Sequence, residues 1–211
     1  MWNLSDNFVF KESINARIES KMDILENPLV SHFDPETGRM EPYDHYRQIR
    51  LSDMRGYYLA DREAPDAPLE DDPVLYEVYE RIVPEKGGEM VPCSTIIHPG
   101  GVGDEFYMTK GHYHSSADAA EIYYCLRGDG LLMMLKDDEC VMESMRQGAL
   151  IYVPAGWAHR SVNVGKEDLI IFAIYPADAG HDYGSIKEEG FGKRVLRGKD
   201  GGYEIREESG Q

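Results

Sequence analysis

The sequence predicts an all-β fold, a sandwich or a barrel, on three observations. From about Tyr76 onward, short runs rich in β-branched and aromatic residues recur: Tyr76-Glu77-Val78-Tyr79, Cys93-Ser94-Thr95-Ile96-Ile97, Glu121-Ile122-Tyr123-Tyr124, Leu131-Leu132-Met133-Met134, Ala149 to Val153 and Leu169 to Tyr175. Turn-forming Pro99-Gly100-Gly101, Gly128-Asp129-Gly130 and Pro154-Ala155-Gly156 part them. Many short strands at this spacing build a sandwich or barrel, not a βαβ array.

Ahead of the strands, Ile14, Ile18, Met22 and Leu25 fall at spacings of four, four and three, which places them on one face of a helix. Asp34-Pro35-Glu36-Thr37-Gly38 is a turn, and Pro65 to Pro73 is rich in proline and acid, as a surface loop would be. Residues 1–70 are therefore expected to form a helical or irregular extension packed on the barrel, 71–195 the barrel itself, and 196–211 a closing hairpin or tail.

At 211 residues and 42% hydrophobic composition, the chain can bury the core of one domain with an elaboration. It has 22 Lys and Arg against 39 Asp and Glu, a net charge of −17. Such a field repels nucleic-acid backbones and anionic lipid, so neither nucleic acid nor membrane is an expected partner. It repels small anions too, so an anionic ligand needs a local site that overcomes it. Cys93, Cys125 and Cys140 form no CxxC pair and leave one over, which suggests a reducing, cytoplasmic setting. The N-terminus has no basic and apolar leader pattern, and Leu169 to Ile174 is too short to span a bilayer.

The chemistry-bearing residues are few. His112 and His114 lie two apart, so on an extended chain both imidazoles face one way. Glu121 follows a six-residue loop and is expected to return beside them as a hairpin partner, and His159 comes after the turn at Pro154 to Trp157. Three imidazoles and a carboxylate make a donor set suited to Fe, Ni, Mn, Co or Zn. By themselves, His112 and His114 could equally be surface or core residues. The later spacing shifts that balance.

Gly148, Pro154, Gly156, His159 and Asn163 meet every fixed position of the second cupin motif, and His112, His114, Glu121 and Gly128 meet the first. One departure is the loop 115–120, six residues long where ordinary cupins place three or four. That longer loop is similar to a particular subfamily. Thr109-Lys110-Gly111-His112-Tyr113-His114, Glu121-Ile122-Tyr123, Tyr152-Val153-Pro154 to Asn163 and Ala173 to Gly184 resemble the archaeal cupin-type phosphoglucose isomerases. The likeness runs over roughly residues 33–195.

The resemblance implies a single jelly-roll barrel that interconverts glucose 6-phosphate and fructose 6-phosphate in glycolysis and gluconeogenesis. It implies one divalent ion held by His112, His114, Glu121 and His159. It further implies phosphate recognition at Tyr76, Thr95, Thr109, Gly111 and Tyr175, a sugar pocket lined by Tyr123, His181 and Tyr183, and a homodimer. Hydroxyl and amide donors can hold a dianion without a basic patch. Glu121 is the expected base for moving a proton between C2 and C1, and a hydride shift is the rival route. His181 is a candidate proton donor for ring opening. Lys110 is expected to turn to solvent by alternation, His32, His45 and His98 to lie at the surface, and the cysteines to fill space as small apolar groups. Two other functions stay open on these residues: a non-haem metal oxygenase, and a sugar-phosphate sensor without turnover.

Overall fold

The computed structural model describes residues 25, 27–63, 68–69 and 71–208. The helix expected over Ile14 to Leu25 lies outside them, apart from its last residue. Along the chain come β1 (His32–Phe33), β2 (Met40–Glu41), β3 (His45–Arg50), β4 (Val74–Glu80), β5 (Met90–Ile97), β6 (Gly101–Val102), β7 (Glu105–Phe106) and β8 (Glu121–Arg127). They continue as β9 (Asp129–Lys136), β10 (Glu139–Arg146), β11 (Leu150–Val153), β12 (Ala158–Asn163), β13 (Leu169–Pro176), β14 (Lys193–Arg197) and β15 (Tyr203–Glu207). Two short α-helices, Leu59–Glu63 and Gly184–Glu189, and a 3-10 helix, Leu51–Met54, interrupt them among the described residues. The fold is all-β, as the run of short strands predicts.

A six-stranded antiparallel sheet runs β11-β8-β13-β5-β4-β3, and a three-stranded sheet runs β10-β9-β12. Ile97, Cys125 and Ile171 of the first share one buried cluster with Leu131, Met145 and Val162 of the second. This packing of two apolar faces closes the barrel. Bridges Met108↔Val162 and His112↔His159 then lay the segment before His114 along the edge of β12.

The cupin-motif residues that carry no chemistry explain themselves here. Gly128 has φ +88°, and a Cβ there would stand 2.6 Å from the Asp168 carbonyl oxygen, so only glycine fits. Asn163 donates to the carbonyls of Ile97 (2.7 Å) and Glu167 (2.8 Å) and accepts from the Gly165 N–H (2.9 Å). It is fully buried and ties β12 to the opposite sheet.

The region before residue 71 is less irregular than its composition suggests. β3 adds an edge strand to the large sheet, and Phe33 and Met40 cover that sheet's outer face against Tyr79, Ile96 and Ile170. β3 is hard to read because His45-Tyr46-Arg47-Gln48-Ile49-Arg50 is almost wholly exposed and shows no apolar alternation. β12 escapes for the opposite reason: all six residues of Ala158-His159-Arg160-Ser161-Val162-Asn163 are buried, and four are polar. At the far end β14 and β15 form a hairpin, anchored by the buried Arg194, which donates to Glu105 (2.6 Å) and pairs with Glu208.

Candidate metal centre and cavity

The strand period of two lines one face of the large sheet with polar side chains. Tyr76, Val78 and Glu80 of β4, Cys93 and Thr95 of β5, and Glu121 and Tyr123 of β8 all look into one cavity. Thr109, Gly111 and His112 come from the segment facing it, His159 from β12, and His181 and Tyr183 from the loop before the last helix. The sequence-derived site residues therefore meet in one place.

His112, His114, Glu121 and His159 each offer one ligand atom, and these atoms lie within 4.8 Å of one another. Glu121 does not arrive as a hairpin partner of the histidines. His112 pairs with His159 across β12, while Glu121 opens β8 on the opposite sheet, so the donors converge from both layers of the barrel. Sequence alternation could place the two histidines on one face, but it could not say which strand lies opposite.

The donor atoms suit a cation. His112 Nε2, His114 Nε2, His159 Nε2 and Glu121 Oε2 are all buried without a hydrogen-bond partner. Glu121 Oε2 stands 2.9 Å from His159 Nε2 and 3.2 Å from His114 Nε2, close by charge but without hydrogen-bonding geometry. Leaving four such atoms unpaired is costly unless something binds them. The outer nitrogens are already occupied: His114 Nδ1 lies 3.1 Å from the Ala119 carbonyl and His159 Nδ1 3.2 Å from that of Trp157. Donating there fixes the tautomer that frees Nε2 for an ion.

Burial pushes the Glu121 carboxyl up, yet His159, His114 and His112 together outweigh it and hold the group well below the usual carboxylate range. Burial pulls His112 well down, keeping it neutral, as a ligand must be. Burial opposes charge on His114 too, but Glu121 and the Ala119 carbonyl raise it on balance. His181 is pulled down, first by burial and then by the His114 imidazole. Its ring sits 4.5 Å from that of His112 and stacks on Tyr183 at 5.9 Å and 12°.

The far end of the cavity holds neutral donors. Thr109 Oγ1 accepts the Ser161 N–H at 3.1 Å, which leaves its own hydrogen free to donate inward. Gly111 has φ +73°, and a Cβ there would press to 2.8 Å on the Phe191 ring. Between them Lys110 lines the cavity with its backbone, its N–H meeting the Tyr76 hydroxyl at 3.5 Å. Its carbonyl is gripped by the buried Arg160, which donates at 2.7 and 3.3 Å and stacks on Phe191 at 4.6 Å. Burial draws this guanidinium down to about 10. Arg160, Arg47 and Glu80 carry no motif signal and emerge only from the packing.

His32 and His45 are exposed, and His98 is half-buried with its Nδ1 2.9 Å from Asp168. Cys93 and Cys125 are buried and Cys140 half-buried; all three are free thiols. Among the described residues no helix is long and apolar enough to cross a membrane.

Two facing sheets with four metal-type donors converging between them define a barrel of the cupin class. The family model "Glucose-6-phosphate isomerase (GPI)" matches residues 48–208. The chain belongs to that family. It is 51% identical over 170 residues to the glucose-6-phosphate isomerase of Thermococcus onnurineus, covering 80% of this chain and 89% of the relative. With the isomerase of Thermococcus gammatolerans it shares 53% over 148 residues, 70% of this chain and 78% of that one. Among solved structures it is similar to a recombinant oxalate oxidase in complex with glycolate, with 18% identity, a TM-score of 0.44, and coverage of 56% of this chain and 59% of that one.

Proposed function

We propose that this chain interconverts glucose 6-phosphate and fructose 6-phosphate, with Glu121 moving the proton between C2 and C1. The observation that carries this is the convergence of four unpartnered donor atoms in a cavity whose other end offers hydroxyl and amide donors. His112, His114, Glu121 and His159 would hold a divalent ion. Iron, nickel, manganese, cobalt and zinc all suit that donor set, and the bound ion supplies positive charge against the negative charge that develops on the substrate oxygens.

The protein's own groups do the rest. The two Glu121 oxygens are not equivalent: Oε2 is the one aimed at the histidines, which leaves Oε1 to take the C2 proton and return it to C1. A positioned base of this kind contributes about 10²–10⁴-fold. His181, kept neutral by burial, can pass a proton between the anomeric hydroxyl and the ring oxygen as the sugar opens. Tyr123 and Tyr183 close the walls around the chain of carbons. Tyr76, Thr95, Thr109 and the Gly111 amide bind the phosphate.

Turnover of fructose 6-phosphate in an assay coupled to glucose 6-phosphate oxidation should vanish on chelation and return with added metal. A metal-replete protein without turnover would discard the proposal. Thr109→Val should raise KM by on the order of 10-fold or more, the scale of a hydrogen bond to a charged group, with kcat less affected. Thr109→Ser should restore it. An unchanged KM for Thr109→Val would place the phosphate elsewhere.

Two further assignments complete the reading. The three free thiols suit a reducing cytoplasm. A second copy of the chain seats on the outer face of the large sheet. There Leu150 lies across from Tyr124, which lies across from Phe172, and Tyr152 from Ile122 and Ile174 in turn. Leu150, Tyr152, Ile122 and Tyr124 are exposed, at the sheet edge that β1 and β2 leave uncovered. Sedimentation as a monomer at micromolar concentration would remove this homodimer.

A further inference from the structure

We infer that Arg47 binds the phosphate of the sugar and sets the preference for phosphorylated substrate. The inference rests on the reading that the Thr109 end of the cavity takes a phosphate.

The argument begins with the donors. Tyr175 is one of the residues that the family resemblance implies for phosphate. Its hydroxyl has a single hydrogen, and that hydrogen goes to Glu80 Oε1 at 2.9 Å. While Glu80 is ionised, Tyr175 faces a dianion with lone pairs only. Glu80 itself is buried and would repel the phosphate. Something must offset both deficits.

Arg47 is placed to do so. Its Nη2 meets Glu80 Oε2 at 2.9 Å, so the carboxylate is balanced by the guanidinium on one oxygen and by Tyr175 on the other. A guanidinium has five N–H donors in a fixed fork. The contact with Glu80 uses only part of that fork. The register sets Arg47 opposite Val78, and Val78 opposite Thr95, on the face that lines the cavity. Arg47 is therefore two strands, about 10 Å along the sheet, from Thr95, a span shortened by the reach of a long side chain. It shares the cavity wall with Tyr183, Tyr175 and Tyr76. Apart from Lys110, it is the cation in the cavity wall among the described residues. In a chain of net charge −17, one such group at the mouth decides whether a dianion enters. It lies one residue before the span that the family model matches.

Arg47→Met should raise KM for fructose 6-phosphate about 10-fold or more and leave kcat within a few-fold, since the group stands away from C1 and C2. The Ki of inorganic phosphate as a competitive inhibitor should rise in parallel, and Arg47→Lys should recover part of both. Removing Arg47 also strips Glu80 of its partner, so the double variant Arg47→Met/Glu80→Gln separates the two effects. If Arg47 contacts phosphate, the double variant keeps the raised KM and Ki. If Arg47 only balances Glu80, the double variant returns both to the wild-type values and the inference fails. It fails equally if Arg47→Met leaves Ki unchanged. Wild-type protein that inorganic phosphate does not inhibit would overturn the phosphate end as a whole, and Arg47's role with it.

Discussion

His112→Ala and His159→Ala are each expected to give a folded barrel that holds no stoichiometric divalent ion and turns over no sugar phosphate. Each substitution removes one of the four donor atoms that now face one another without partners. Folding should survive, because the backbone pairing His112↔His159 does not depend on either ring. It also survives because the core that joins the sheets lies in Ile97, Ile171, Leu131 and Val162. The loss is not neutral for Glu121, whose buried charge is stabilised by the same imidazoles; removing one leaves a carboxylate with less compensation. A modest fall in stability is therefore expected beside the loss of metal, and circular dichroism should still report a β-rich fold. Elemental analysis showing a full complement of metal in both variants would sink the ligand assignment.

How much of this could be read from the residues differs between the centre and its surroundings. The candidate donors His112, His114 and His159 are legible because strand alternation and motif spacing act on a single segment at a time: His112 and His114 two apart, His159 three after Gly156. The direction from which Glu121 reaches them is not, since β8 and β12 belong to different sheets and Glu121 meets His159 from nearly forty residues away. Arg160 and Glu80 were hidden for a related reason. A buried Arg on β12 or a buried Glu on β4 looks like any exposed charge until its partners, the Lys110 carbonyl and the Tyr175 hydroxyl, are in place. Local periodicity carries the elements; which polar groups end up buried together is a property of the packing.

Glu121→Gln is the sharper test of the chemistry, and its expected result is a loss of about 10²-fold or more in kcat with the sugar phosphate still bound. The glutamine keeps the shape of the side chain and can offer its carbonyl oxygen to an ion in place of Oε2. It cannot accept a proton from C2. Metal content at saturating concentration should therefore fall far less than in the histidine variants, so the two losses can be told apart in one elemental measurement. If the variant keeps its metal and loses only a few-fold in kcat, Glu121 is a ligand without a proton role, and a hydride passing directly from C2 to C1 becomes the better account. Running the wild-type reaction in D2O adds a one-sided check. Deuterium at C1 of fructose 6-phosphate, or at C2 of glucose 6-phosphate, requires that a proton left the substrate and met solvent. Its absence decides less, because Glu121 is almost fully enclosed and can return the same proton before exchange. That enclosure makes the glutamine variant, rather than the isotope, the measurement on which the two mechanisms part.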